Sequence, residues 1–410
     1  MTSSNPQEKP VLLWIYTENP EETLDAATWL ETSKALQDMG WQVFLIAEGM
    51  VEDSKSGWKN IQGMDVYTIE RPDIYLFGQL LFHRQAVQFM LQQNVHVNVI
   101  MFHEMSALWL FILRLLRPFW RNRPYFVMDV RTLYMTRKDH QSLKDRVRRL
   151  YYAMTDRLAP LWIDGQLAIT TRLADAVHIN RDKLWGIWPS GVTPQPFTDA
   201  AQGRTFPSAG DPIKIIYIGS LHYARNLMAL AKAVTEAQSQ GMNFELMMIG
   251  AGTEADDLTA YASDKAYIDC LPSVPHTEIP AILAKAHIGV LPFPDELKFR
   301  VSSPIKLFEY MASGLVIMAS RIVCHTDVIT DETCVFWVEG QTEAALFTSL
   351  EEIWQSRDTL ASKSDAALAL SAKWTWHESA RKLNNALEKG IGKQGSVHFS
   401  GQSQAELESP

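Results

Sequence analysis

The residues best placed to do chemistry lie in two short stretches. In "YIGSLHYARNL" (217–227) an apolar run ends at Gly219 and Ser220, and Arg225 stands just before Asn226, a residue type that caps helices. The amides and positive dipole end of a helix start attract anions, and an arginine beside them adds charge-assisted hydrogen bonds. The alternative is a plain strand–loop–helix crossover with a solvated arginine. In "SSPIKLFEYMASG" (302–314) Ser302 or Ser303 is placed to cap, Pro304 suits the first helical position, and Gly314 suits the position past the last turn. Ile305, Phe308 and Ala312 make an apolar stripe, while Lys306 and Glu309, three apart, share an adjacent face. A cation at a helix start suits a phosphate. A carboxylate one turn later accepts two hydrogen bonds from vicinal hydroxyls, such as those of a ribose. Without a ligand the same two residues are a surface ion pair, worth roughly 0.5 kcal/mol.

His103, in "VNVIMFHEM", follows an apolar run and suits proton transfer or donation to a substrate hydroxyl, or else a structural hydrogen bond. Asp129 and Arg131 end the next run, where a structural salt bridge is the favoured reading. Gly250 and Gly252 lack the third glycine and the acidic partner of a dinucleotide fingerprint, so a tight turn is expected there.

The elements that must position these residues alternate. Apolar runs at 11–16, 42–47, 65–69, 97–101, 125–129 and 166–169 are separated by segments of helical spacing. Continuous apolar runs are the mark of strands covered on both faces, and such alternation builds a parallel sheet. A stretch rich in Pro, Gly, Ser and Thr (189–212) reads as a linker, after which runs resume at 213–218, 244–249, 266–271, 287–292, 315–320 and 334–338. The expectation is an α/β chain of two Rossmann-like, doubly wound domains facing across a cleft, where ligands meet the carboxyl ends of the strands. The first spans 9–195, and a last segment of helical spacing lies near 374–390. The second spans 210–373, and 391–410 reads as a disordered tail.

Composition narrows the classes. The chain has 410 residues and a net charge of −9, which gives no support to nucleic-acid binding. Its three cysteines have no metal-ligand spacing and favour a reducing compartment, and the polar start lacks a secretory pattern. No DxD, GxSxG or GxxxxGK[ST] occurs, and no cluster has the spacing of a metal site. Charge is uneven, however: Arg114 to Arg149 carries eleven Lys or Arg against three Asp. Arg114, Arg117 and Arg121 form one stripe among aromatics. The region 106–150 therefore suits either an anionic membrane surface or an ordinary helix with solvated cations.

Five segments in order, "WPSGV" (188–192), "YIGSLHYARNL", "MMIGAGTEADDL" (247–258), "LPSVPHTEIPAILAKAHIGVLPF" (271–293) and "SPIKLFEYMASGLVIMAS" (303–320), resemble the group 1 (RfaB-like) retaining glycosyltransferases of the GT-B fold. The first half is similar in layout, through "FHEM" and "DGQLAITTRLADAV" (164–177), and the final helix, with "WTWHESARKL" (374–383), resembles the family's terminal helix, which implies that 374–390 returns to the first domain. The resemblance implies a nucleotide-sugar donor held by the second domain. Glu309 matches the second glutamate of the family's E-x7-E motif and would hold the ribose. Arg225 matches a diphosphate-binding lysine, and Pro272 to Val274 match the loop that receives the base. His103 matches a histidine touching the donor sugar. The chain departs from the pattern at Val301, where the first glutamate would stand, at Ser220, where arginine is usual, and at Pro304. Lys306 and Arg300 are the cations left to supply the missing charge.

The residues expected in catalysis are thus Arg225, Lys306 and His103. Those expected to hold the donor are Gly219, Ser220, Asn226, Pro272, Val274, Ser303, Ile305 and Glu309. The implied reaction is transfer from a nucleotide diphosphate sugar to an acceptor hydroxyl, with retention and without metal or cofactor. The acceptor is a sugar, a lipid-linked molecule or a polysaccharide, and the setting is the cytoplasm or the inner face of the cell membrane. The alternatives are a nucleotide-sugar epimerase or hydrolase, and a non-catalytic sugar-nucleotide-binding protein.

Overall fold

The apolar runs become parallel strands. The computed structural model describes residues 9–394 apart from 24–25, 51–55, 73, 94–95, 117–122, 134–142 and 209. The chain divides into two units, one made of residues up to Trp188 and from Ala380 onward, the other of Pro189–Ser379.

The first unit is built on β1 (Val11–Ile15), β2 (Gln42–Glu48), β3 (Ser56–Ile61), β4 (Met64–Ile69), β5 (Val99–His103), β6 (Tyr125–Val130), β7 (Gly165–Ala168) and β8 (Leu184–Ile187). Its helices are α1 (Ala27–Asp38), α2 (Tyr75–Gln92), α3 (Glu104–Leu116), α4 (Leu143–Trp162) and α5 (Thr171–Ala176). The strands lie in the order β3-β4-β2-β1-β5-β6-β7-β8. All neighbours are parallel except β3, which runs antiparallel to β4. β3 was not foreseen: its sequence, SGWKNI, is mostly polar, as an edge strand with one open side permits. β8 is only four residues long, too short to stand out from its surroundings.

The second unit carries β9 (Ile213–Ile218), β10 (Phe244–Ile249), β11 (Ile268–Leu271), β12 (Ile288–Leu291), β13 (Val316–Ser320) and β14 (Val335–Val338). Its helices are α6 (Pro194–Ala200), α7 (Leu227–Ser239), α8 (Ala255–Ala262), α9 (Ile279–Leu283), α10 (Leu297–Arg300), α11 (Ile305–Ala312), α12 (Val323–Thr326), α13 (Glu343–Gln355) and α14 (Leu360–Ser371), and the last helix, α15 (Trp376–Gln394), begins here. The order β11-β10-β9-β12-β13-β14 is all parallel. Counted from β9 it reads 3-2-1-4-5-6, the doubly wound arrangement, and its direction reverses between β9 and β12.

The stretch 189–212 is not the open linker its composition suggests. Val192 and Phe197 are buried in the core of the second unit. Arg204 donates to the carbonyls of Ser313 and Gly314 at 2.6 and 2.8 Å, and to that of Leu283 at 3.1 Å. Four helix-end carbonyls lie within its reach, which is the satisfaction such ends require. At the other end of the chain, Leu383, Leu387 and Ile391 of α15 join the core of the first unit with Trp185 and Trp188. The helix continues through Gln394, past the expected start of the tail at 391. Positions 395–410 lie outside the described residues.

Candidate functional site

In the second unit, β9 pairs with β12 only through Ile215 and Ile216, so the two strands part toward their carboxyl ends. The Ile218 N–H donates instead to the Tyr310 hydroxyl, at 2.9 Å, from α11. The chain then turns at Gly219, whose φ of +137° only glycine adopts readily. A Cβ there would lie 2.2 Å from Lys306 Nζ. The loop 219–221 is also pressed from behind, because a Cβ on Gly250 would lie 1.8 Å from the Gly219 carbonyl oxygen. Gly250 and Gly252 therefore serve close backbone approach, in keeping with a turn rather than a phosphate grip.

Lys306 enters this space from the second position of α11. Its Nζ donates to the Tyr217 hydroxyl at 3.1 Å and stands 4.4 Å from that ring. The Tyr217 hydroxyl donates onward to the Ser220 carbonyl at 3.0 Å. Arg225 arrives from the short 3-10 turn Tyr223–Arg225. Its guanidinium lies 4.7 Å from the Phe293 ring and 4.9 Å from that of Phe299. Lys306 Nζ is 5.7 Å from the same Phe293 ring, so both cations stand on one aromatic floor just beyond β12. Among the described residues neither has a carboxylate at ion-pair distance. Burial, then the nearby Arg225, hold the Lys306 ammonium well below the usual lysine range, and Glu309 opposes them. Burial pushes the Tyr217 phenol up to about 12, so it remains a hydroxyl donor. Two like charges set this near each other repel, and an anion between them would relieve it.

The other expected residues fall around this pair. Glu309 is buried, and its Oε1 lies 2.7 Å from Nε2 of His276. His276 follows the loop that carries Pro272, which is exposed, and Val274, which packs on the core. The loop and the carboxylate are thereby tied together. Ser303 Oγ accepts from the Ser190 N–H at 3.1 Å. Pro304 occupies the cap position of α11 with no side-chain cap, and Ile305 begins the helix, so neither serine caps it.

Two expectations need correction. Asn226 does stand at the cap position of α7, but its φ is +61° and its side chain donates to the Gln341 carbonyl instead of capping. The Glu254 carboxyl lies beside that first turn, and burial raises its pKa. Arg225 and Lys306 are the cations beside the loop at Gly219 that have no carboxylate at ion-pair distance among the described residues. Arg300 does not help, because it is paired with Asp295 at 2.5 and 2.7 Å on the surface. Val301 is buried, so the place of the first motif glutamate is given to packing.

In the first unit the strand order reverses between β1 and β5, and His103 ends β5. Its Nδ1 accepts the Met105 N–H at 3.3 Å, so Nε2 bears the proton and donates to Thr17 Oγ1 at 2.7 Å. Burial lowers its pKa to about 4, so the ring is neutral at physiological pH. Asp129 accepts from Trp188 Nε1 at 2.9 Å, and the Arg131 guanidinium lies over the same indole at 3.9 Å. Both are thus engaged with protein, as the salt-bridge reading expects. Arg114 pairs with the buried Asp164 at 3.2 Å, and Arg117 and Arg121 lie outside the described residues.

Sequence reasoning missed Tyr217, Phe293, Phe299 and His276. Tyr217 was the polar-tipped residue inside an apolar strand, and His276 the histidine of an exposed loop. The aromatic floor left no such mark, since Phe293 and Phe299 read as core.

Among the described residues no three His, Cys, Asp or Glu side chains converge to hold a metal, and no helix is long and apolar enough to cross a membrane. Residues 212–356 match the family model of the glycosyl transferases group 1. A D-inositol 3-phosphate glycosyltransferase of Corynebacterium kroppenstedtii is 23% identical over 211 residues, which is 48% of this chain and 46% of that relative, about half its length. The sucrose-phosphate synthase of Thermosynechococcus elongatus superposes over 94% of this chain and 100% of its own, with a TM-score of 0.69 and 14% identity. The catalytic domain of starch synthase IV from Arabidopsis thaliana, bound to ADP and acarbose, superposes over 94% and 99% with a TM-score of 0.66 and 12% identity. The chain therefore has the GT-B fold, and its residues 212–356 are similar to the glycosyl transferases group 1.

Proposed function

We propose that the protein transfers a sugar from a nucleotide diphosphate sugar to an acceptor hydroxyl. The observation that carries this reading is the pair Arg225 and Lys306, set on Phe293 beside Gly219 at the reversal of the sheet, with no carboxylate partner among the described residues. A diphosphate supplies the missing negative charge. Glu309, one turn along α11, is the group to hold the ribose, its second oxygen remaining beside the one engaged by His276.

In the reaction the bond from the anomeric carbon to the diphosphate oxygen breaks, and a bond to the acceptor oxygen forms. The acceptor proton leaves with the diphosphate. Negative charge grows on the leaving group, and fixed cations lower the barrier because they are already oriented when that charge appears. The buried position of Lys306 strengthens the effect, since fewer waters compete for the anion. This chemistry needs no metal. The resemblance to the group 1 enzymes supports retention, and three free thiols, Cys270, Cys324 and Cys334, support a reducing, cytoplasmic setting. The acceptor is read as membrane-associated or a polysaccharide. His103, neutral and hydrogen-bonded to Thr17, suits orientation of a sugar hydroxyl better than proton transfer.

The test is a thermal-shift screen of the full chain against nucleotides and nucleotide sugars, followed by transfer assays with the best donor. A ligand at a hundred times its Kd adds about 2.7 kcal/mol to stability. Donor breakdown without an acceptor would favour an epimerase or hydrolase. Tight binding with no transfer to any acceptor would favour a binding protein.

A further inference from the structure

Helix α4 of the first unit presents three different faces. Tyr151, Thr155, Ala159 and Trp162 are buried. Arg149, Tyr152, Asp156 and Pro160 line a cavity of about 420 Å³, with Glu104, Thr132, Gln166, His178 and Asn180 among its other lining residues. Leu150, Met154, Leu158 and Leu161 are exposed, at 62%, 42%, 40% and 79%. At 3.6 residues per turn, the ridge between the cavity face and the apolar face carries Arg146, Ala153 and Arg157, all three exposed.

The neighbouring helices also expose apolar residues. α4 packs on α3, where Phe111, Ile112 and Leu115 are exposed, and α3 packs on α2, where Phe77, Leu80 and Leu91 are exposed. Ten of the sixteen large apolar residues exposed among the described residues lie on these three helices. Single exposed apolar residues need no explanation, whereas a contiguous face of them marks a contact surface.

We propose that this side of the first unit receives an anionic amphiphile from a lipid bilayer, with its hydroxylated headgroup in the cavity, its phosphate on Arg146 and Arg157, and its chains beside the apolar face. The volume falls in the range of about 300–1,000 Å³ typical of small-molecule sites. The polar lining mixes one guanidinium, two carboxyls, two amides, the Thr132 and Tyr152 hydroxyls and the His178 imidazole, which suits a neutral polyol, since hydroxyls donate and accept in turn. Glu104, held up to about 8 chiefly by burial, adds a donor there at neutral pH. Among the described residues neither arginine of the ridge has a carboxylate partner, and a guanidinium suits a phosphate. An ordinary soluble sugar would use the cavity and leave the ridge and the apolar face idle. The amphiphile uses all three. Calling it the acceptor rests on the glycosyl-transfer reading, but its binding does not.

The experiment is co-sedimentation of the full chain with vesicles of phosphatidylcholine alone, with added phosphatidylglycerol, and with added phosphatidylinositol. No sugar donor is present, so a failure of binding is distinct from a failure of transfer. Binding is expected to need an anionic lipid, to weaken with salt, and to favour phosphatidylinositol over phosphatidylglycerol, which has the same charge but fewer hydroxyls. The double variant R146Q/R157Q should bind both anionic vesicles about thirtyfold more weakly, at roughly 1 kcal/mol for each cation near the surface. Asp156→Ala, at an exposed position of the cavity wall, should abolish the preference between the two lipids and leave phosphatidylglycerol binding intact. Unaltered thermal unfolding checks that both variants fold. Equal binding to phosphatidylcholine alone, no binding to either anionic vesicle, or a lipid preference that survives Asp156→Ala would each overturn the proposal.

Discussion

Lys306 offers the sharpest test of the second unit, because a cation kept for a ligand and a cation kept for the fold respond in opposite ways to removal. Lys306→Met retains an unbranched apolar stem and deletes the ammonium. The fold loses one hydrogen bond to the Tyr217 hydroxyl, about 1 kcal/mol, and keeps the bond from Tyr217 to Ser220. It also sheds the burial of a charge and the repulsion from Arg225, the two causes that hold the lysine pKa down. These contributions oppose each other, so the unfolding temperature should stay the same or rise by about 2–4 °C for each kcal/mol gained. Diphosphate binding has no such compensation. A hydrogen bond to a charged group contributes about 1.5–3 kcal/mol, so UDP or ADP should bind about ten- to a hundredfold more weakly. There is a second signature. A bound diphosphate raises the lowered lysine pKa, so binding takes up a proton, and affinity falls as pH rises past that lowered value. Calorimetric titrations in buffers of different ionisation enthalpy read this uptake directly, and Lys306→Met should lose it. A variant that unfolds several degrees lower yet binds nucleotide as before would make Lys306 structural and refute the reasoning.

Other outcomes follow from the same geometry. Arg225→Ala should lower turnover about 10²–10³-fold, the usual effect of losing one preorganised donor, with little change in unfolding temperature, because the guanidinium only lies on two rings. Normal turnover would remove Arg225 from the site. Glu309→Ala should weaken nucleotide binding in calorimetry, and unchanged affinity would leave Glu309 as the partner of His276 alone. His325 is buried, donates Nδ1–H to the Ser320 carbonyl, and is lowered to about 4 by burial. Below about 6.5 the unfolded chain takes a proton that the folded chain refuses, so stability falls with pH from there to about 4. His325→Leu should shrink that acid loss by up to about 3 kcal/mol in denaturant titrations, and an unchanged acid limb would place the proton uptake elsewhere.

Much of the architecture was legible in the amino-acid order. Strands covered on both faces must be apolar at successive positions, so IKIIYI and FELMMI announced themselves, and glycines stood where chain ends turn. The half-open strand β3 did not, because an edge needs no apolar signature. Nor did the anchoring of 189–212, since Arg204 reads as solvated until the carbonyls it satisfies, 79 to 110 positions away, are brought to it.

The candidate site divides in the same way. Residue types alone identified Arg225, Lys306 and Glu309 as groups that suit a diphosphate and a ribose. Tertiary structure decided which neighbours they have. The Asn226 side chain is turned to the Gln341 carbonyl, Arg300 is held by Asp295, and Phe293 supplies the floor that seats Arg225 and Lys306. Local sequence sets a residue's charge, reach and helical face. Whether that charge finds a partner depends on chain segments far along the sequence, which only the closed sheet brings within a few ångströms.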